Sequence, residues 1–291
     1  CLAELLQKEG IRKIVVPRNF SLFTAQALKE DGFTVIPIKS PFQDMRVKKD
    51  VTEIGHIKSV QDACERAMQS AIDMISNAIV TDGALYHKGY NLTSEQVRAG
   101  IEHTLLDIGC EADSTIVACG KKSANPHWEG EGVLTINEPI VIDIFPRNKK
   151  SRYYADMSRT VLRGKPSKKL EDMYNAVIAA QDAAFSKVRI GARCSDIHNA
   201  VCDVFEKMGY ETIRNGSKAG FIHSTGHGVG LDIHELPNVG DNDFVLEEGN
   251  VITIEPGLYY PDVGGIRIED LVLVTKDGYK NLTLFENKFV I

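Results

Sequence analysis

Apolar residues recur along the chain with two different periods, and the change of period marks out its elements. At Ile54, Ile57, Val60, Cys64, Met68, Ala71 and Ile75 they fall on one face of a helix of about seven turns. Thr93 and Gln96 form a capping box ahead of the stripe Val97, Ile101, Leu105 and Ile108, with Gly109 as the stop. Two further helices are predicted over 168–187 and 195–208, the second with Ser195 as cap and Gly209 as stop. Alternating, β-branched segments lie between and after them. The first fifty residues alternate helix and strand signals: Leu2 to Lys8 helix, Lys13 to Val16 strand, Ser21 to Glu30 helix, Phe33 to Ile38 strand. Two strands are too few for an independent sheet. Residues 1–50 therefore read as the remnant of an α/β domain, and the charged break at Lys48, Lys49 and Asp50 divides them from a larger unit over 51–291.

Two of the strand segments resemble each other. Asp143 closes Pro139-Ile-Val-Ile-Asp143, nine residues after Leu134, and Glu255 closes Val251-Ile-Thr-Ile-Glu255, nine residues after Leu246. The offset between the two segments is a constant 112 residues. A proline follows each acid (Pro146, Pro256), and a second acid follows on the next strand, Asp156 in one case and Glu269 in the other. A duplicated half-domain that sets two acidic hairpins face to face accounts for this pattern.

Side chains alternate along a strand, so Ile140, Ile142 and Ile144 share one face and Asp143 lies on the other. Glu255 likewise lies opposite Ile252 and Ile254. If each hairpin pairs antiparallel, directly opposed Cβ atoms stand roughly 5 Å apart, which lets Asp143 meet Asp156 and Glu255 meet Glu269. Four carboxylates gathered inside a sheet repel one another and are costly to desolvate unless a cation lies among them. Two divalent ions would balance the charge, and such pairs are a known hydrolytic arrangement. One imidazole usually completes such a site. His227 is the candidate, because its flanking glycines let the backbone approach closely and rule out a zinc-binding helix. Three histidines (His223, His227, His234) fall within twelve residues here.

Composition acts mainly by exclusion. With 291 residues, 43% hydrophobic and 25% charged, the chain is an ordinary globular one, and a net charge of −6 leaves no basic footprint for nucleic acid or anionic membrane. A peptide or other small substrate fits better. None of the six cysteines forms a Cys-x-x-Cys pair, so they read as reduced, core-filling thiols of an intracellular protein. No apolar run approaches the roughly 20 residues of a membrane span. A cytoplasmic location is expected. The chain opens at Cys1 already inside a helical pattern.

Several stretches taken together resemble a known family. They are Ser123-Ala-Asn-Pro-His127, Val141-Ile-Asp143, Ala155-Asp-Met-Ser-Arg-Thr160, Phe221 to Glu235, Ile254-Glu-Pro-Gly257 and Gly264-Gly-Ile-Arg-Ile-Glu-Asp270. Over about residues 48–291 the chain resembles the pita-bread metallopeptidases (M24), which include methionine aminopeptidase, aminopeptidase P and prolidase. The resemblance implies an α+β pita-bread fold of the creatinase/aminopeptidase type, with pseudo-twofold duplicated β-hairpins, outer helices and a short α/β segment ahead. It implies two metal ions on Asp143, Asp156, His227, Glu255 and Glu269, with Glu255 doubling as general acid/base. It further implies that His127 and His234 contact the substrate, with His223 beside them. Arg267 resembles the arginine of the proline-peptidase branch, and a structural ion pair with Asp156 or Glu269 is the competing reading. Manganese or cobalt is the expected metal, zinc or iron being the alternatives.

The Gly-Gly-Ile-Arg-Ile-Glu-Asp motif and the α/β segment look like the aminopeptidase P and prolidase branch. That implies short peptides with proline second, a homodimer, and an Xaa-Pro aminopeptidase as the first reading, with Xaa-Pro dipeptidase as the alternative. Methionine aminopeptidase, a metal-free creatinase-like hydrolase and a non-catalytic binding module rank lower, the last two because neither needs all five ligand positions. Two departures stand out: the amino-terminal domain, which in relatives helps close the site and shape the dimer, is here only about fifty residues, and the chain after Asp143 differs. The stretch Asp143-Ile-Phe-Pro146 replaces the family's small residue and glycine, and the longer loop after it, with Arg147, Lys149, Lys150 and Arg152, is expected to alter the rim of the site. Trp128 reads equally as a substrate wall or a core aromatic.

Overall fold

The structure, a computed structural model, describes residues 2–39 and 41–291; Cys1 lies outside them. The chain forms two compact units, Cys1–Arg46 and Val47–Ile291. In the first, α1 (Leu2–Lys8), β1 (Lys13–Pro17), α2 (Leu22–Glu30), β2 (Thr34–Ile38) and α3 (Pro41–Arg46) follow in order. β1 and β2 pair in parallel, which needs a crossover that α2 supplies. Leu6, Val16, Leu28, Phe33 and Val35 form the small core.

The second unit is built twice. Its first half begins with α4 (Val51–Ser76), where Asp50 and Glu53 close a capping box. A small antiparallel sheet follows, of β3 (Ile79–Thr81), β4 (Ala84–His87) and β5 (Tyr90–Asn91), and then α5 (Ser94–Asp107), capped by Thr93 and Gln96 as the sequence predicts. After β6 (Cys110–Glu111) come the strands that carry the half: β7 (Ile116–Cys119), β8 (Ile140–Ile144) and, beyond the short β9 (Arg147–Asn148), β10 (Met157–Val161). β8 lies in the middle, antiparallel to both β7 and β10. The second half repeats the plan with α6 (Lys168–Phe185) and α7 (Cys194–Lys207), then β11 (Gly226–Gly228), β12 (Glu235–Val239) and β13 (Val251–Ile254). The hairpin β14 (Gly257–Tyr260) and β15 (Gly264–Arg267) follows, then β16 (Asp270–Thr275) and β17 (Gly278–Asn281). Its sheet runs β12-β11-β13-β16-β17, so β13 is central as β8 is in the first half.

The helix predictions hold in place, with one correction. α7 starts at Cys194, and its cap is Arg193, which makes no side-chain capping bond. Ser195 is already inside the first turn. The amides of Cys194 and Ser195 donate instead to the carbonyls of Phe244 and Asn242, at 2.9 and 3.1 Å, so orphan donors are satisfied by neighbouring chain rather than by a hydroxyl.

Each half has its own core. Met68, Ile101, Leu105, Ile140 and Ile142 pack under α4 and α5; Val177, Phe205, Phe221, Ile252 and Ile266 pack under α6 and α7. Four of the cysteines, Cys64, Cys110, Cys194 and Cys202, are buried. The halves meet along β10, whose Arg159 donates to the Glu269 carbonyl at 2.7 Å and pairs with Asp270 at 2.8 Å, both groups buried. Thr160 Oγ1 donates to the Arg267 carbonyl and accepts from the Arg267 amide, each at 2.9 Å. Among the described residues no helix is long and apolar enough to cross a membrane. Because Phe205 is fully buried against Phe221 and Tyr210, Phe205→Ala is predicted to destabilise the protein by about 3 to 5 kcal/mol in urea unfolding, without altering the site's residues.

Candidate active site

The two central strands and their neighbours bring the predicted acids together, though not all in the predicted register. Asp143 stands opposite Ser158 across the β8–β10 pair. Asp156 precedes Ser158 by two residues, so it shares that face but meets Asp143 diagonally; the expected direct pair is corrected by two positions. In the second half Ile254 pairs with Asp270, and continuing that register sets Glu255 opposite Glu269 as expected. His227 lies in β11 between two glycines that have no room for a side chain. A Cβ at Gly226 would come within 2.0 Å of the Thr253 carbonyl oxygen, and one at Gly228 within 2.3 Å of that of Leu236.

Asp156, His227 and Glu269, all buried, each present a ligand atom within 4.8 Å of the others'. His227 Nε2 faces Asp156 Oδ2 at 3.5 Å and Glu255 Oε1 at 3.4 Å. Burial pulls the His227 imidazole down to about 3, so it is neutral, and its Nδ1 donates to the Gly228 carbonyl at 3.1 Å. Nε2 therefore carries a lone pair pointed at carboxylate oxygens. These are acceptors facing acceptors, a geometry that a cation resolves. Asp143 Oδ1, Asp156 Oδ1 and Glu269 Oε1 are likewise buried with no hydrogen-bond partner. Burial, reinforced by the neighbouring carboxylates, pushes Asp156 and Glu269 well above the usual carboxylate range, and burial takes Glu255 up to about 7. Oxygen donors with one imidazole and three orphaned carboxylate oxygens fit divalent transition metal well.

Arg267 is the cation within this acidic surround. Its ion pair falls on Asp143, at 2.7 Å, rather than on Asp156 or Glu269. Its Nε donates to Ser158 Oγ at 2.9 Å, and Ser158 in turn donates to Glu269 Oε2 at 2.9 Å. Another guanidinium nitrogen donates to the Tyr259 hydroxyl at 2.9 Å. Burial raises Tyr259 to about 12 and lowers His223 to about 4, so both are neutral near pH 7. His223 Nδ1 must donate to the Ser224 carbonyl (2.7 Å), leaving Nε2 to accept the Tyr259 hydroxyl proton at 3.0 Å. Both nitrogens of His223 are thus engaged within the protein. Ser158 and Tyr259 escape the sequence reading; the strand period that turns Asp156 and Arg267 inward also turns Ser158 and, through the Gly257↔Arg267 register, Tyr259 inward.

A cleft of about 310 Å³ opens over this cluster, lined by His127, His223, His227, His234, Glu255 and Arg267 among others. His234 stands edge-on to His227 with ring centroids 4.2 Å apart. Trp128, half-buried, packs on Ile116, Ala118 and Val141 with Lys122 over its ring, and is not among the residues lining the cleft. Residues 147–152 are not among those lining the cleft. Arg147 pairs with Glu111 at 2.6 Å and β9 pairs with β6, which draws that loop onto the outside of the first half instead of the expected rim.

A sequence profile of metallopeptidase family M24 matches residues 55–276. The chain belongs to this family. It is 34% identical over 288 residues to an Xaa-Pro dipeptidase of Pyrococcus horikoshii, an alignment spanning 97% of this chain and 76% of that one. The solved prolidase from Pyrococcus furiosus superimposes with a TM-score of 0.86 at 30% identity, covering 99% of this chain and 80% of that one. An X-Pro aminopeptidase from Thermotoga maritima gives 0.84 at 28% identity, covering 100% and 78%. The M24 chain therefore has the pita-bread fold and is a metal-dependent peptide hydrolase.

Two predictions follow from the charge balance. Raised carboxylate pKa values mean that the metal-free folded chain holds protons the unfolded chain has released, so this stability is full below about 4.5 and is lost as pH rises through the folded values, about 7 for Glu255. His223 and His227 act oppositely, but only below their unfolded value of about 6.5. Chelated protein is therefore expected to lose melting temperature between about pH 6.5 and pH 8, and added divalent metal to abolish that loss. Asp156→Asn is expected to melt above the parent in chelator, because the cost of burying a carboxyl group that must take up a proton on folding is gone, and below it in saturating metal, because a ligand is gone. Scanning calorimetry of both proteins in both conditions reads the two signs.

Proposed function

We propose that this chain is an Xaa-Pro dipeptidase, hydrolysing the bond between an amino-terminal residue and a following proline. The observation that carries the hydrolase chemistry is the set of acceptors converging under a cleft, Asp143, Asp156, His227 and Glu269 buried and Glu255 half-buried. The names of the relatives support the dipeptidase over the aminopeptidase that the motifs put first. The X-Pro aminopeptidase similarity keeps the second reading open to test.

Asp143, Asp156, His227, Glu255 and Glu269 would hold two divalent ions, with manganese or cobalt as our choice. Bound metal supplies Lewis acidity, polarising the scissile carbonyl and ionising water near neutral pH. Glu255, which lines the cleft, would take a proton from the attacking water and give it to the leaving nitrogen. A proline nitrogen has no N–H in the peptide, so it leaves only when protonated. His127 and His234 face the cleft and donate to the substrate carbonyl and the oxyanion that develops from it. Arg267 is fixed on three sides, so it orients Asp143 and, through Ser158, Glu269. The implied homodimer belongs to the same proposal and is read by sedimentation.

The test is a matched set of Xaa-Pro dipeptides, Xaa-Pro-Yaa tripeptides and Met-Ala-Yaa tripeptides, offered to chelated protein before and after adding manganese. Metal-dependent cleavage confined to Xaa-Pro dipeptides is expected. Cleavage of the proline tripeptides would move the assignment to aminopeptidase P, and full activity in chelator would overturn the metal reading. His227→Ala is expected to lower kcat/KM by at least about a hundredfold, on the scale of losing a metal ligand or its support.

A further inference from the structure

One buried ion pair beside the cleft takes no part in the reaction as described. Lys49 Nζ lies 2.6 Å from Glu235 Oε1, with side chains 1% and 8% exposed. Glu235 directly follows His234, opens β12 and lines the cleft. Its carboxylate rests against Gly230, where a Cβ would come within 2.4 Å of Oε1. Residues 229–234 join β11 to β12 and carry His234 into its edge-on contact with His227. The backbone bonds of that loop include Gly230 to the Asp232 carbonyl at 3.2 Å and Tyr154 to the Gly230 carbonyl at 2.8 Å. At the other end, Lys49 is anchored by its main chain: its amide donates to the Gly249 carbonyl at 2.9 Å, and Asn250 Nδ2 donates to the Val47 carbonyl at 3.1 Å. Gly249 and Asn250 lead directly into β13, the strand that ends at Ile254, one residue before Glu255.

We infer that Lys49 is a positioning residue, which holds the His234 loop against the turn that leads into β13, just ahead of Glu255, and so fixes where His234 stands relative to Glu255 in the lining of the cleft. The need for a charge here is local. Glu235 would otherwise be a fifth largely buried carboxylate beside the four of the cluster, and loss of the lysine charge, with the Asp232 amide at 3.5 Å among its remaining contacts, would favour movement of the carboxylate toward water. Such a movement would carry His234 with it, since the two are consecutive. A misplacement of about 1 Å at a substrate-facing group is enough to slow turnover on the order of a hundredfold. The inference rests on the proposed substrate-facing role of His234.

Hydrogen exchange of the metal-free protein and steady-state kinetics with a Xaa-Pro dipeptide test it together, using Lys49→Met, Lys49→Arg and the double variant Lys49→Met with Glu235→Met. Lys49→Met is expected to speed exchange over residues 229–235 about tenfold and to lower kcat by about tenfold or more, with metal content equal to the parent's. Lys49→Arg is expected to recover most of both. The double variant replaces the ion pair by an apolar contact, so its melting temperature is expected to return while kcat stays low, the directed pairing being absent. Full kcat in the double variant would overturn the inference by making the pair a matter of stability alone. So would unchanged exchange over 229–235 in Lys49→Met. Exchange is read without substrate or metal, so a failure there is distinguishable from a failure of the dipeptidase reading.

Discussion

The mutual repulsion of four carboxylates in one buried space is the constraint on which the rest of this protein is arranged. Asp143, Asp156 and Glu269 are buried and Glu255 half-buried at the floor of the cleft, where water screens them poorly, and three of their oxygens have no hydrogen-bond partner. Arg267 offsets one charge through Asp143. The remainder is expressed as a raised affinity for protons at Asp156, Glu255 and Glu269, caused first by burial and then by the neighbouring carboxylates. A stable fold with this interior is understandable only as a folded receptor for metal, in which binding free energy is also folding free energy.

The duplicated plan explains how a chain can hold such a cluster rigidly. Each half offers a central strand flanked on both sides and backed by two helices: Asp143 lies on β8, and Asp156, Glu255 and Glu269 lie one residue outside the ends of β10, β13 and β16, held by strands whose backbone pairing is already made. The halves are then fastened at the seam by Arg159, Ser158 and Thr160, all on β10 and all reaching to Arg267, Glu269 or Asp270. The residues that bind the halves together are thus the immediate neighbours of those that face the ions. A change at the seam is a change in the spacing of ligands.

Asp143 and Glu255 were legible from strand parity, Asp156 and Glu269 as the second acids of the two repeated segments, and His227 from its flanking glycines and the family resemblance. The 112-residue offset made the two-half plan legible too. Partnerships across the fold were not. Asp143 was expected to face Asp156, but the register places Ser158 there, and nothing local to either strand specifies a shift of two. Tyr259 and His223 join through a contact 36 residues apart, and Lys49 meets Glu235 across 186. Likewise Ser195 had the chemistry of a helix cap, yet the carbonyls of Asn242 and Phe244 satisfy those amides first. The basic loop after Pro146 had the look of a rim until Glu111 drew it aside. Periodicity reports which way a side chain points, and long-range pairing decides what it meets.

The most direct measurement is calorimetric titration of manganese into chelator-treated, dialysed protein at pH 7, repeated in buffers of different ionisation enthalpy. Carboxylates that hold extra protons in the empty cluster must surrender them to the metal. The account predicts two ions bound per chain with a net release of protons, and a loss of both when Asp156 is changed to asparagine. Absence of binding, or binding with no proton release, would contradict the claim that the buried carboxylates are held in place for a pair of divalent ions.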